Sequence, residues 1–393
     1  MTKLLIIADD LTGALDTGVQ FAQLGISVQV CSDPAHVPQN TAEDVLVINS
    51  HTRHLHPQEA YHVVYDIISG FSGRVQYVYK KTDSALRGCV GAELTAAAKA
   101  LDTSVAFVPA LPKLGRTTVN ATQYINGIEL AKSEFGMDPL EPMRNSYIPD
   151  IISEQSDIPC HVGGPISRIP EIYIYDASTD EDIMNIAASL VQGGAVLFAG
   201  CAGLAGALAR LLPFDRRQTV QPVKTASFGV VCGSLNPTTS AQVEYAAGRE
   251  FSVLSIDAEE FLRADFKSSE QRAHAYARMM EISSEKLPFV LKAGGTAITG
   301  GNAGELIADG MGCMAKEMLP VLEGYTLLIT GGDTLMAFIK HCGYPALRIA
   351  KELSSGVVCL LAEIEGKNVQ LVSKSGGFGG PELFDQLYKM MKD

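Results

Sequence analysis

Asp9 and Asp10 are adjacent carboxylates that follow the short apolar run from Leu4 to Ala8 and precede Thr12 and Gly13. Buried without partners, two acids there would be costly, so a substrate hydroxyl, a metal or a cation should meet them. Two other apolar runs in the first half end in comparable sets. One is Asn49-Ser50-His51-Thr52-Arg53-His54; the other is Lys80-Lys81-Thr82-Asp83-Ser84-Ala85-Leu86-Arg87-Gly88. Such a mixture suits a small polyhydroxylated anion, with guanidinium or ammonium for its carboxylate and Asp for its hydroxyls. Any one of these turns reads better as a solvated loop; three on one sheet edge favour a site. Gly115-Arg116-Thr117-Thr118 could add a further cation, although an exposed loop Arg is an equal reading.

The second half places glycine where the first half places charge. The turns are Gly233-Ser234-Leu235-Asn236-Pro237, Lys292-Ala293-Gly294-Gly295-Thr296, Thr330-Gly331-Gly332-Asp333-Thr334 and Lys374-Ser375-Gly376-Gly377-Phe378-Gly379-Gly380. Glycine lets backbone N–H groups approach phosphate oxygens, and a helix N-terminus adds a favourable dipole. One such turn is weak evidence because glycine is the usual turn residue. Four in one domain favour a nucleotide site. There is no G-x-x-x-x-G-K-[ST] motif, and Gly310-Met311-Gly312-Cys313-Met314-Ala315 fits the dinucleotide spelling only inside a helical pattern. His51, His54 and His56 match no dedicated metal motif, and no H-E-x-x-H or G-x-S-x-G appears.

The elements that must position these residues follow a strand–helix rhythm, which implies parallel sheets. In the first half, strands are expected over 3–8, 27–31, 44–49, 74–80 and 104–109, with helices over 12–24, 57–69 and 90–101. After Pro109–Pro112 the stretch 113–150 reads as polar and irregular, and the rhythm then resumes to 212. Residues 213–225, polar and bounded by prolines, read as a linker. Strands over 226–231, 252–256, 288–292, 325–330, 345–349, 357–364 and 368–373 follow, with helices near 237–248, 269–285, 303–318, 333–342 and 380–391. The expectation is an α/β protein of two domains with mostly parallel sheets: 1–212, then the 213–225 linker, then 226–393. Its active site would lie in the inter-domain cleft, since ligands of open parallel sheets bind at the carboxyl ends of strands.

Bulk properties narrow the chemistry. Hydrophobic residues make up 47% and charged ones 19%, an ordinary globular balance. The formal charge is −13, from 31 Lys+Arg against 44 Asp+Glu. Such a field repels nucleic acid and anionic membranes, so neither is an expected partner. The eight Cys are scattered without a C-x-x-C pair, which suits a reducing compartment. With no basic leader and no apolar run of about 18–20 residues, a cytoplasmic location is expected.

The motifs as a set resemble the four-carbon acid sugar kinases, which phosphorylate threonate, erythronate or 3-oxo-tetronate with ATP. The resemblance rests on Ile7-Ala8-Asp9-Asp10-Leu11-Thr12-Gly13-Ala14, Lys81-Thr82-Asp83-Ser84 with Arg87-Gly88, Gly331-Gly332-Asp333-Thr334 and Ser375-Gly376-Gly377-Phe378-Gly379. It runs nearly end to end, in the family's order. It implies that the N-terminal domain binds the sugar acid through Asp9, Asp10, Arg53, Lys81, Thr82, Asp83 and Ser84. It likewise implies that Ser234, Gly331, Gly332, Asp333, Gly376, Gly377, Phe378 and Gly379 bind the nucleotide. Leu11 stands where the family usually has Phe, Leu15 where it often has Asn, and Leu353-Ser354-Ser355-Gly356-Val357 where it more often has Pro-Gly. None of these departures removes a polar group; they bear on the substrate more than on the reaction.

On this resemblance the carboxylate is held by Arg53 with help from Lys81 or Arg87, and one of Asp9, Asp10 and Asp83 takes the proton of the attacking hydroxyl. Mg²⁺ would bridge the phosphates, with Asp333 an indirect ligand. D-threonate is the favoured substrate, the 4-phosphate the product, and erythronate or 3-oxo-tetronate the alternatives. A homo-oligomer is compatible with the sequence, which leaves the oligomeric state and the metal ligands open. A nucleotide-dependent oxidoreductase is disfavoured by the missing phosphate fingerprint in the first turn, and a non-enzymatic sugar-acid sensor by the glycine turns.

Overall fold

The computed structural model describes residues 2–38, 41–138, 142–233, 236–295, 302–321 and 324–392. The chain divides into two compact units, Met1–Thr219 and Val220–Asp393. The first begins with β1 (Leu4–Ala8), α1 (Leu11–Ala22), β2 (Val28–Cys31), β3 (Val45–Asn49), α2 (Pro57–Phe71), β4 (Tyr77–Lys81), α3 (Val90–Leu101) and β5 (Val105–Val108). It continues with β6 (Arg116–Val119), β7 (Thr122–Ile125), β8 (Ile128–Glu129), α4 (Ile148–Ser153), β9 (Cys160–Val162) and β10 (Ile172–Ile174). It closes with α5 (Asp180–Gln192), β11 (Leu197–Gly200) and α6 (Ala202–Leu211).

Its main sheet runs β2-β3-β1-β4-β11-β5-β10-β9, every pairing parallel. All five residues of β1 are fully buried, as a central parallel strand covered on both faces requires. Ala8 pairs with Asn49 on one side and Lys81 on the other. That register is what brings the turns after β1, β3 and β4 out at one level. The chain steps to β2 and β3 on one side of β1 and then to β4 on the other, so β1 and β4 flank the point where the winding reverses.

The stretch 113–150, read as irregular from sequence, is instead built around an antiparallel sheet, β6-β7-β8, followed by α4. Its strands of four, four and two residues are too short to show a pattern. The signal that was present is Asn126-Gly127, whose paired positive φ values (51° and 81°) make the two-residue turn between β7 and β8. The turn before it needs Asn120 and Ala121 at positive φ (50° and 53°), and Asp176 secures both by accepting from their amides at 2.6 and 2.8 Å.

The second unit contains β12 (Ser227–Cys232), α7 (Pro237–Ala247), β13 (Ser252–Asp257), α8 (Ala258–Phe261), α9 (Glu270–Ser284), β14 (Phe289–Gly294) and α10 (Ala303–Glu317). After these come β15 (Tyr325–Thr330), α11 (Gly332–His341), β16 (Leu347–Ser354), β17 (Val357–Ile364), β18 (Lys367–Lys374) and α12 (Leu383–Lys392). The order is β13-β14-β12-β15-β18-β17-β16. The first five strands are parallel, and β17 runs antiparallel to both its neighbours. Pairing with β17 carries β16 on to Ser354, past the 345–349 strand read from sequence.

The segment read as a linker is held at both ends. Arg217 donates its amide to the Gly25 carbonyl at 2.7 Å and Phe214 packs edge-on against Phe21. Val223 exchanges two hydrogen bonds with the buried Gln370 side chain. Among the described residues no helix is long and apolar enough to cross a membrane.

Candidate active site

Arg53 is the hub of the acidic edge in the first unit. Its Nε donates to Asp9 Oδ2 at 2.7 Å, its Nη1 to Asp10 Oδ2 at 2.5 Å, and its Nη2 lies 3.7 Å from Asp83 Oδ1. Asp83 also accepts both ends of the Arg87 fork, at 2.9 and 3.0 Å, and the amides of Ala85 and Arg87. The loop from Thr82 to Gly88 is thus wrapped around one carboxylate, with Leu86 forced to a positive φ of 58°. Strain of this kind on a non-glycine residue is characteristic of site loops.

Each carboxylate has a different electrostatic setting. Burial pushes Asp9 up, but Arg53, Lys80 and Lys81 outweigh it and hold its carboxyl below the ordinary carboxylate range. Asp10 goes the other way: burial and the neighbouring Asp9 charge prevail over Arg53 and Lys81 and raise it. Asp83 is buried too, yet Arg87 and Arg53 hold it far below its ordinary value. Burial would discharge Lys81, and the Asp9 and Asp10 carboxylates beside it keep it charged. Its Nζ donates to the Thr82 carbonyl at 2.5 Å. Among the described residues, two buried oxygens at this edge, Asp9 Oδ1 and Thr82 Oγ1, have no hydrogen-bond partner. Buried oxygens normally find partners, so a ligand hydroxyl is a natural complement. Ser84 is half-buried and engages through its carbonyl, which accepts from Gln123 Nε2 at 3.2 Å.

Helix α1 starts from this cluster. Asp10 is its N-cap, accepting from the Gly13 amide at 2.8 Å. A Cβ on Gly13 would meet Asp10 Oδ1 at 2.7 Å and Lys81 Nζ at 3.0 Å. Gly13→Ala should therefore displace the cap, lower stability by about 1 kcal/mol and shift the melting temperature by roughly 2–4 °C. Calorimetry beside turnover assays checks this: an unchanged melting temperature would mean the cap survives.

Beneath the edge lies a second layer, in which Ser50, Thr52 and Lys80 from the turns quoted above meet Glu93, a residue that sequence reasoning missed. Lys80 and Glu93, both fully buried, pair at 2.9 Å. Thr52 donates to Glu93, and Ser50 Oγ lies 2.7 Å from Thr52 Oγ1 and donates to the Ala8 carbonyl at 2.8 Å. The available signal was a lone Glu in the otherwise apolar first turns of α3. Arg116, offered from sequence as a further cation, shares the Phe135 ring with Arg87. Its guanidinium carbon lies 5.6 Å from the ring centre and that of Arg87 5.3 Å, and the buried Arg116 Nε has no partner among the described residues.

The glycine edge of the second unit is set by register in the same manner. Cys232 pairs with Lys292 and with Thr330, and Thr330 with Lys374, so the following turns leave the sheet together. The Gly331 amide donates to the Lys374 carbonyl at 3.1 Å. Gly233 sits so close to α11 that a Cβ would meet Thr334 Oγ1 at 1.9 Å. Gly332 and the exposed Asp333 begin α11. Gly376, Gly377 and Gly379 lie in the loop after β18, where the Phe378 ring covers Gly356 closely enough that a Cβ there would meet it at 2.7 Å. Ser234 lies outside the described residues.

Of the two α/β units, one presents charged groups and hydroxyls at its strand ends and the other presents glycine turns. Residues 4–208 match the family described as a sugar-binding N-terminal domain, and residues 230–384 the one described as a nucleotide-binding C-terminal domain. A D-threonate kinase of Salmonella typhimurium is 31% identical over 98% of this chain and 98% of its own length. A D-erythronate kinase of Heliobacterium modesticaldum is 27% identical, covering 90% and 88%. A solved structure from Salmonella typhimurium LT2, described as a tRNA synthase, covers 99% of this chain and 100% of its own with a TM-score of 0.82. At 24% identity that likeness shows the fold alone. The chain belongs to the four-carbon acid sugar kinase family.

Proposed function

We propose that this protein transfers the terminal phosphoryl group of ATP to a four-carbon sugar acid, D-threonate before erythronate or 3-oxo-tetronate, at its terminal hydroxyl to give the 4-phosphate. The observation that carries the acceptor side is the convergence of Asp9, Asp10, Arg53, Lys81 and Asp83 on one sheet edge, with two oxygens there left without a partner among the described residues. The D-threonate preference is supported by the 31% identical relative of that name.

Roles follow from what each group has left to give. Arg87 and Arg53 hold the Asp83 carboxyl far below its ordinary value, which makes it a poor base. Asp10 is raised in basicity and its side chain is 29% exposed, so a hydroxyl can reach it. It is the proposed general base, with Asp9 and Thr82 accepting from or donating to other hydroxyls. Arg53 is committed to Asp9 and Asp10, and Arg87 to Asp83; in this reading both orient the acids, and the substrate carboxylate falls to Arg116. Phosphoryl transfer asks mainly for positioning and charge neutralisation.

Among the described residues no three His, Cys, Asp or Glu side chains form an all-protein metal cage. That suits Mg²⁺, which is commonly bound through one or two carboxylates and the nucleotide's phosphates. Asp333 is the carboxylate that would hold it, and the ion would neutralise phosphate charge. A coupled ADP-release assay over D-threonate, L-threonate, D-erythronate and a 3-oxo acid tests the proposal, with phosphorus NMR reading the position. ADP release dependent on D-threonate is expected; no release with any of the four would overturn it.

A further inference from the structure

We propose that Lys374 and Gln242 are positioning residues that turn the amides of the glycine loop outward as a phosphate cradle, with Lys374 as its buried counter-charge. This rests on the second unit being the nucleotide site. Lys374 Nζ donates to the carbonyls of Ser375 at 3.1 Å and Gly376 at 2.9 Å, and to Thr239 Oγ1 at 3.2 Å. Thr239 Oγ1 in turn donates to the Gly376 carbonyl at 3.0 Å. Gln242 Nε2, on the buried face of α7, donates to the carbonyls of Phe378, Gly379 and Gly380 at 3.0, 3.2 and 3.1 Å. Five successive or near-successive carbonyls are therefore drawn inward by two side chains.

Peptide planarity makes the consequence definite. In a trans peptide the N–H of the next residue points opposite to the carbonyl, and the described residues contain no cis bond. Carbonyls 375, 376, 378 and 379 pointing inward put the amides of Gly376, Gly377, Gly379 and Gly380 on the outer side. All four are glycine, and none of these amides has an acceptor among the described residues. The peptide after Gly380 belongs to Pro381, which has no N–H to offer. Gly377, Gly379 and Gly380 are exposed. An array of outward amides is an anion-binding concavity.

The ammonium behind it lacks an anion. Lys374 is 1% exposed, and among the described residues no carboxylate lies within ion-pair distance of it. Burial lowers it to about 8, with the Cys232 thiol the titratable group opposing that shift. That thiol is itself pushed up to about 12 by burial, so it stays neutral through the window of interest. Lys374 also meets Thr239 from α7 and pairs in the sheet with Thr330 of β15 and Val357 of β17, none of which titrates; the charged neighbour from β14, Lys292, pairs with Cys232. Bound phosphate would supply the missing negative charge and raise the lysine again. Nucleotide binding should then take up a proton above pH 8, and affinity should fall as pH rises through that value.

Calorimetry of the full chain with ADP and Mg²⁺ tests this in buffers of different ionisation enthalpy. For the wild type, the Kd should rise roughly tenfold or more between pH 7.5 and 9.5, with proton uptake at the upper end. Lys374→Met should weaken ADP binding roughly tenfold at pH 7.5 and abolish both the pH dependence and the uptake; its KM for the sugar acid should not change. The wild-type measurement needs no variant to fold. Tight wild-type binding with a flat pH profile and no proton uptake would overturn the inference while leaving the nucleotide site intact. No ADP binding at any pH would overturn the nucleotide site, and this inference with it.

Discussion

Asp10→Asn should fold normally and lose turnover by roughly 10²–10⁴-fold, the usual contribution of a general base. Asn is as good an N-cap as Asp, so the bond from the Gly13 amide survives. The amide NH2 then faces Arg53 Nη1, so that contact is lost, while Arg53 keeps its bond to Asp9 Oδ2. What disappears is a carboxylate able to take a proton from the attacking hydroxyl. ADP affinity should stay at the wild-type value because the glycine turns belong to the other unit. The wild-type pH profile adds a second check. Burial and the Asp9 charge raise Asp10, so the acid limb of turnover, where the base becomes protonated, should lie above the ordinary carboxylate range. If Asp10→Asn turns over at the wild-type rate and Asp9→Asn does not, the base is Asp9, whose Oδ1 has no hydrogen-bond partner among the described residues.

Lys80→Met should destabilise the first unit by about 3–5 kcal/mol, because it leaves the Glu93 charge buried without its partner. Both side chains are buried, and the 2.9 Å pair is built into the floor of the site by Thr52 and the Lys81 carbonyl. Typical domains are stable by only about 5–15 kcal/mol, so this single change takes a large share. The double variant Lys80→Met with Glu93→Leu removes both charges and should recover much of the loss, as replacing a whole buried pair by apolar groups often does. The deficit of the single variant should depend on pH. Burial raises Glu93 in the folded state, so the folded state favours its neutral form. Lowering the pH protonates the orphaned acid and should narrow the gap; raising it should widen the gap. Urea unfolding at several pH values measures this, and a loss under 1 kcal/mol would mean the pair contributes nothing.

The long apolar strands were legible from sequence because a strand covered on both faces must be apolar throughout. Leu4–Ala8, Val45–Asn49 and Tyr325–Thr330 are such strands. Short elements whose burial comes from neighbours were not: β6 to β8 show alternation over too few residues, and only Asn126-Gly127 marked them. At the site, the turn residues could be listed from sequence, while their partners beneath could not. Glu93, Gln242 and Lys374 sit in or beside elements with no local feature to say which polar group they meet.

Sequence alone determined the long elements, their order, and that three charged turns and a set of glycine turns leave strand ends. Those are local properties, set by runs of apolar residues and by glycine where only it fits. Tertiary structure alone decided how the charges are shared: Arg53 is held by Asp9 and Asp10, Lys80 is neutralised by Glu93, and Lys374 is left with carbonyls in place of an acid. The physical reason is distance. Charges 13 to 44 residues apart in the chain meet only after strand register has fixed which ends lie side by side.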